Sequence, residues 1–223
     1  MYIIQFFKSW WIESRVNTLL ERANFKYLRG EYAQTLKVCD LAIQLNSSIA
    51  EIFNRRGAAR FRLGDFESAI ADFTEALRIQ PKYAEALRNR GLAHYRLEQL
   101  DDALGDLNLA IYYDPKQALS YHNRGLVDES CGNIRGALAD YSEALRLNPR
   151  LDVTYTNRGD VRANHGDIRG AIADYQRYLA LGGGLRYGNQ THIESLIATL
   201  QEKIERPSHS LSAAAKNHVR LTG

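Results

Sequence analysis

The sequence predicts an all-α protein built as a stacked array of helical hairpins, and three observations carry that prediction. The triplet Asn-Arg-Gly stands at 89–91, 123–125 and 157–159, with Arg55-Arg56-Gly57 one step earlier, so glycines recur at 57, 91, 125 and 159 at intervals of 34. One further step back falls on Ala23, also a small residue. A fixed period of this length marks a repeat array in which each unit buries its apolar face on its neighbours. Helix-stopping prolines keep the same period, at Pro81, Pro115 and Pro149. Between glycine and proline the apolar residues follow helical spacing, as in Phe66, Ala69, Ile70, Phe73, Ala76 and Leu77.

In chain order, residues 1–15 form an aromatic-rich segment in which Ile3, Phe6, Phe7 and Trp10 keep helical spacing. Three uses are open for it. It covers the exposed end of the first repeat, it lies on a membrane surface through residues 1–12, or it docks a partner or a second copy of the chain. Gln5, Lys8 and Ser9 interrupt it too soon for a bilayer span, and it lacks the basic start and cleavage site of a secretory signal.

The array itself is expected over residues 16–185, in units 16–49, 50–83, 84–117, 118–151 and 152–185. The first unit is degenerate: Ala23 takes the glycine place, Gly30-Glu31 makes the turn, and Ser47 stands where later units have proline. In the second unit Gly64 ends the first helix and Asp65 caps the next, because glycine tolerates the left-handed cap and a short carboxylate accepts from free backbone N–H groups. That turn recurs as Gly132-Asn133 and Gly166-Asp167. In the third unit Glu98-Gln99 replaces it, which predicts a poorer cap. Gly182-Gly183-Gly184 reads as a loop; no Lys-Ser/Thr follows to make it a phosphate cradle. Residues 186–206 read as a capping helix with Ile193, Leu196, Ile197, Leu200 and Ile204 on one stripe, and 207–223 as a disordered tail.

Two further columns repeat. Arg56, Arg90, Arg124 and Arg158 share one position, and Asp72, Asp106, Asp140 and Asp174 share another, always 16 residues on. They are expected to form a ladder of ion pairs, either within a hairpin or from one unit's Asp to the next unit's Arg.

The totals exclude several functions. Net charge is +3 and basic residues are interspersed with acidic ones, so no nucleic-acid partner is predicted. Cys39 and Cys131 do not pair by spacing, and the six histidines form no metal-ligand pattern. No metal, cofactor or catalytic residue is predicted, and the chain is expected to be a cytoplasmic, non-catalytic protein.

With Ala84 as the first position, the unit shows Leu87, Gly91, Tyr95, Ala103, Leu107, Ala110 and Pro115, which resembles the tetratricopeptide repeat. The resemblance implies a right-handed superhelical solenoid of about five helix-turn-helix units plus the terminal capping helix. It also implies that the first helices line a concave groove for a peptide or partner segment. Carried over by position, the groove includes Asn54, Arg55, Phe61, Arg62, Arg88, Asn89, Leu92, Tyr95, Arg96, His122, Asn123, Leu126, Thr156, Asn157 and Asp160. Asn89, Asn123 and Asn157 make a row able to grip a peptide backbone, similar to the asparagine ladder of O-GlcNAc transferases.

A sub-type of the family grips chaperone C-terminal carboxylates with lysine, asparagine and arginine at set positions. Leu20, Asn24, Arg55, Glu85 and Asn89 stand there and only Asn24 agrees, so that activity is not expected. Arg62, Arg88 and Arg96 still make the groove's middle basic, which suits a partner with acidic residues. The expected function is a protein-binding scaffold. The alternative is a self-assembling or membrane-surface protein that uses the aromatic segment.

Overall fold

The computed structural model describes residues 2–205, with side chains from Trp10 onward. The expected disorder of 207–223 and the side-chain roles proposed for the first nine residues lie outside the described residues. Those described are all-α, in twelve helices without a strand. They fall into two units, Met1–Asn133 and Ile134–Gly223.

The first unit holds α1 (Tyr2–Leu28), α2 (Tyr32–Leu45), α3 (Ala50–Arg62), α4 (Phe66–Ile79), α5 (Ala84–Arg96), α6 (Leu100–Tyr113) and α7 (Ala118–Ser130). Each hairpin turns at one left-handed residue. Gly30 and Gly64 take φ of 76° and 85°, but in the third hairpin Glu98 must adopt φ 60°. Asp65 accepts from the Ser68 backbone N–H at 3.2 Å, whereas Gln99 at the equivalent place makes no such bond. The third turn is therefore the worst built. The first repeat ends without proline because Asn46 accepts from the Ser48 N–H at 2.8 Å, a local turn that competes with the helix.

The small residues are where two helices meet. A Cβ on Gly57 would stand 2.8 Å from Phe73 and 3.1 Å from the Ala69 carbonyl; on Gly91 it would stand 2.9 Å from Leu107 and 3.2 Å from the Ala103 carbonyl. Backbone cannot yield as a side chain can, so a larger residue overpacks the crossing by about 1–3 kcal/mol. The contacts made by this nesting form the core. Val16, Leu19 and Ala23 of α1 meet Val38, Cys39 and Ala42 of α2 and Ile52 of α3. Phe53 and Ala50 meet Ala76, Leu77, Ala86, Leu87 and Ala110. Ala103 and Leu107 of α6 receive Val127 of α7.

The second unit holds α8 (Ile134–Leu147), α9 (Asp152–Asn164), α10 (Ile168–Ala180), α11 (Gly183–Tyr187) and α12 (Gln190–Glu205). Gly159 repeats the close approach, since its Cβ would stand 2.8 Å from Tyr175. Ile193, Ile197 and Leu200 of α12 bury against Ala171, Ile172, Tyr175 and Tyr178 of α10. Ile204, at the end of the same stripe, is exposed.

Two local readings of the sequence need correction. The aromatic start is not a separate element: α1 runs unbroken from Tyr2 to Leu28, because nothing between 12 and 16 stops a helix. The triple glycine is not simply a loop. Gly182 is left-handed at φ 77° and ends α10, while Gly183 and Gly184 open α11, where a Cβ would overlap the Tyr178 ring and Gln190. No described helix is long and apolar enough to cross a membrane.

Candidate functional site

Three of the four repeated arginines are ion-paired with their repeated aspartates. Arg56 Nη2 lies 2.6 Å from Asp72 Oδ1. Arg90 and Arg158 each take their aspartate, Asp106 and Asp174, with two hydrogen bonds of 2.7–2.9 Å. These pairs lie within a hairpin. The third guanidinium nitrogen then reaches the second helix of the preceding hairpin, at Asp40 for Arg56, Thr74 for Arg90, Asn108 for Arg124 and Ser142 for Arg158, over 2.7–3.0 Å. Arg56, Arg90 and Arg158 thus each close their own hairpin and tie it to the second helix of the one before. Asp140, the remaining member of the acidic column, is a buried residue of α8. Arg60 and Arg162 add a second cation to Asp72 and Asp174 at 2.8 Å.

The neighbouring column behaves differently. Positions 54, 88, 122 and 156, and 55, 89, 123 and 157, lie on the first helices. Asn54 is only 1% exposed and is committed internally: it donates to Tyr83 Oη at 3.2 Å and accepts from Asn89 Nδ2 at 2.9 Å. The asparagine row therefore serves in part to join α3 to α5. Asn123 is buried as well. His122 is held by burial far below the usual histidine range, at about 4, so it is neutral near neutral pH.

Four buried side-chain atoms among the described residues have no hydrogen-bond partner: Asn24 Oδ1, Arg55 Nε, Arg88 Nε and Asn123 Nδ2. They come from α1, α3, α5 and α7, one from each first helix of the first unit. Native interiors leave few such atoms unpaired, and each one calls for an explanation.

Arg55 and Arg88 also line a pocket of about 310 Å³ with Tyr27, Ala58, Phe61, Arg62, Phe73, Glu85, Asn89 and Leu92. Arg55 lies over the Tyr27 ring at 5.0 Å and Arg62 over Tyr32 at 5.2 Å. Burial pushes the Arg88 guanidinium below the usual arginine range, with Glu85 opposing the shift. The pocket thus gathers Arg55, Phe61, Arg62, Arg88, Asn89 and Leu92 from the residues the sequence pointed to. Tyr95 and Arg96 line a separate pocket with Glu98, Leu100 and Ser130, and Arg96 lies over Phe66 at 4.9 Å. Leu126 is partly buried on α7.

Thr156, Asn157 and Asp160 belong to α9 in the second unit. Thr156 Oγ1 donates to the Val153 carbonyl at 2.8 Å, and Asp160 accepts from Tyr175 Oη at 2.6 Å.

Sequence reasoning missed Tyr27, Ala58, Phe73 and Glu85 as pocket residues. Tyr27 heads the column that continues as Phe61 and Tyr95, and that periodicity was the available signal. Among the described residues no group of three His, Cys, Asp or Glu could hold a metal.

A family profile described as TPR repeat matches residues 59–98. No curated protein matches the chain. Solved structures do. That of pilF from Pseudomonas aeruginosa is similar with a TM-score of 0.72 at 17% identity, over 93% of this chain and 99% of that one. A thermophilic TPR protein of Thermus thermophilus is similar with a TM-score of 0.70 at 21% identity, over 82% and 99%. The first TPR of Spaghetti, bound to the HSP90 peptide SRMEEVD, is similar with a TM-score of 0.52 at 20% identity, over 53% and 94%. At these identities the likeness is one of fold. The matched profile places a tetratricopeptide repeat at residues 59–98, and the 34-residue period and the glycine-nested hairpins carry the same pattern beyond it.

Proposed function

We propose that this protein is a non-catalytic interaction module that holds an extended segment of a partner protein against the first helices of its first unit. One observation carries the reading. The buried polar atoms without partners among the described residues all fall on those first helices. Leaving such an atom unsatisfied costs about 1–3 kcal/mol, a cost that an incoming segment with complementary groups removes. The wall between them is apolar, through Ala58, Phe61 and Leu92, so the segment also buries side chains there. That the first TPR of Spaghetti, similar in fold, is bound to an HSP90 peptide supports a peptide partner.

The test is capture from cells that express the protein, comparing Leu92→Arg in the pocket with Leu109→Arg on α6. Leu109 is exposed and Leu92 partly buried, and circular dichroism checks that both variants keep the helical fold. Partners that vanish with the first and persist with the second support the proposal. Equal recovery with both contradicts it.

A second contact surface is favoured by Trp10 and Trp11, which are 59% and 56% exposed on α1. Large exposed aromatics at one place mark docking surfaces. Replacing both with Ser and measuring sedimentation tests whether they hold a second copy. An unchanged association state removes that reading.

A further inference from the structure

We propose that the pocket formed by α1, α3, α4 and α5 receives the side-chain carboxylate of an aspartate or glutamate in the partner segment, held by Arg55 and Arg88. This rests on the reading of the first-helix face as a protein-binding surface and names the chemistry that surface recognises.

The argument starts from two adjacent residues. Arg56 has two carboxylates within 2.7 Å, from Asp72 and Asp40. Arg55, the residue before it, has none within 4 Å among the described residues, and neither has Arg88 nor Arg62, although all three line one pocket of about 310 Å³. Where this protein uses buried arginine for structure, it supplies the anion itself. Here it does not, and the Nε atoms of Arg55 and Arg88 are left buried without an acceptor. Guanidinium binds carboxylate through paired N–H donors, the geometry these atoms offer. The lowered proton affinity of Arg88 has the same cause, burial without a matching anion.

Glu85 is the one carboxylate in the lining and sets one negative charge against three positive ones. Ala58, Phe61, Phe73 and Leu92 add an apolar wall, beside Tyr27 and Asn89. A free inorganic anion has no use for it, whereas a peptide places an apolar neighbour there. The arrangement therefore fits an acidic residue flanked by an apolar one.

The experiment is selection of random peptides on the immobilised full chain, from one library with the peptide C-terminus fused to its carrier and one with it free. Selected peptides are then titrated against wild type, Arg55→Met, Arg88→Met and Glu85→Gln, each checked for helicity. Expected are peptides enriched in Asp or Glu beside an apolar residue from the fused library. Binding should be weakened about tenfold by either arginine substitution and tightened several-fold by Glu85→Gln. A merely structural role for these residues would not give opposite signs. Peptides without acidic enrichment, bound equally by Arg88→Met, would overturn the carboxylate assignment and leave the groove reading standing. Acidic peptides from the free-terminus library alone would overturn the side-chain assignment. Recovery of no peptide from either library would overturn both readings, and stabilisation by inorganic phosphate in that case would mark a free-anion site.

Discussion

Arg90 grips Asp106 through two parallel hydrogen bonds, Nε to Oδ2 and Nη2 to Oδ1, each 2.8 Å long. Asp106 is buried, and His94 Nε2 stands 3.9 Å from its Oδ2. Removing the aspartate alone strands a half-buried guanidinium, so Asp106→Ala should destabilise by about 3 kcal/mol. Replacing the pair by Arg90→Met with Asp106→Leu should recover most of that loss, because two apolar side chains leave nothing unpaired. Urea denaturation of the three variants measures both values. A double variant no more stable than the single one would show that the pair does more than satisfy itself.

The third turn offers a stabilising substitution. Glu98 sits at φ 60°, where Gly64 and Gly30 occupy the equivalent turns. A side chain in the left-handed region costs about 1–2 kcal/mol relative to right-handed backbone, a penalty glycine escapes. Glu98→Gly should therefore raise stability by about 1 kcal/mol, read as a higher thermal midpoint. The reverse change, Gly64→Ala, should lower it, although nothing lies within 4 Å of the added Cβ.

His122 makes stability depend on pH. Its folded-state value is lowered by burial to about 4, below the ordinary histidine value of about 6.5. The unfolded chain then binds a proton that the folded chain does not, so this contribution is full above about pH 6.5 and is lost as pH falls toward about 4. At about pH 5 the loss should be about 2 kcal/mol relative to about pH 7. His122→Gln should flatten that part of the stability profile. A profile unchanged by the substitution would show that His122 is not the group responsible.

Much of this was readable in the residues because sterics leave few alternatives. A Cβ at Gly57 would crowd Phe73 and the Ala69 carbonyl, so glycine recurs there and the crossing announces itself as a period. The Arg and Asp columns were legible for a related reason: a buried aspartate needs a cation, as Asp72, Asp106 and Asp174 show. Their further reach to Asp40, Thr74, Asn108 and Ser142 was harder to see, since that column shares only acceptor chemistry and no residue type. Tyr27 escaped notice because the first repeat lacks the glycine and proline that set the register elsewhere. The asparagine row shows the limit of positional transfer. Asn54 and Asn89 stand one place apart in their repeats, yet their amides bond to each other, a pairing that spacing alone does not reveal. In the same way α1 runs from Tyr2 through residue 15 without a break because aromatic residues tolerate a helix, and composition marked a boundary where the backbone has none.

The claim on which the functional account rests is that partners lie on the first helices. Photo-crosslinking tests it most directly. A benzoylphenylalanine is placed either at Leu92, in the pocket of α5, or at Tyr112, which is 77% exposed on α6. Partner adducts from position 92 and none from position 112 are predicted. Adducts formed at 112 but not at 92 would contradict the account.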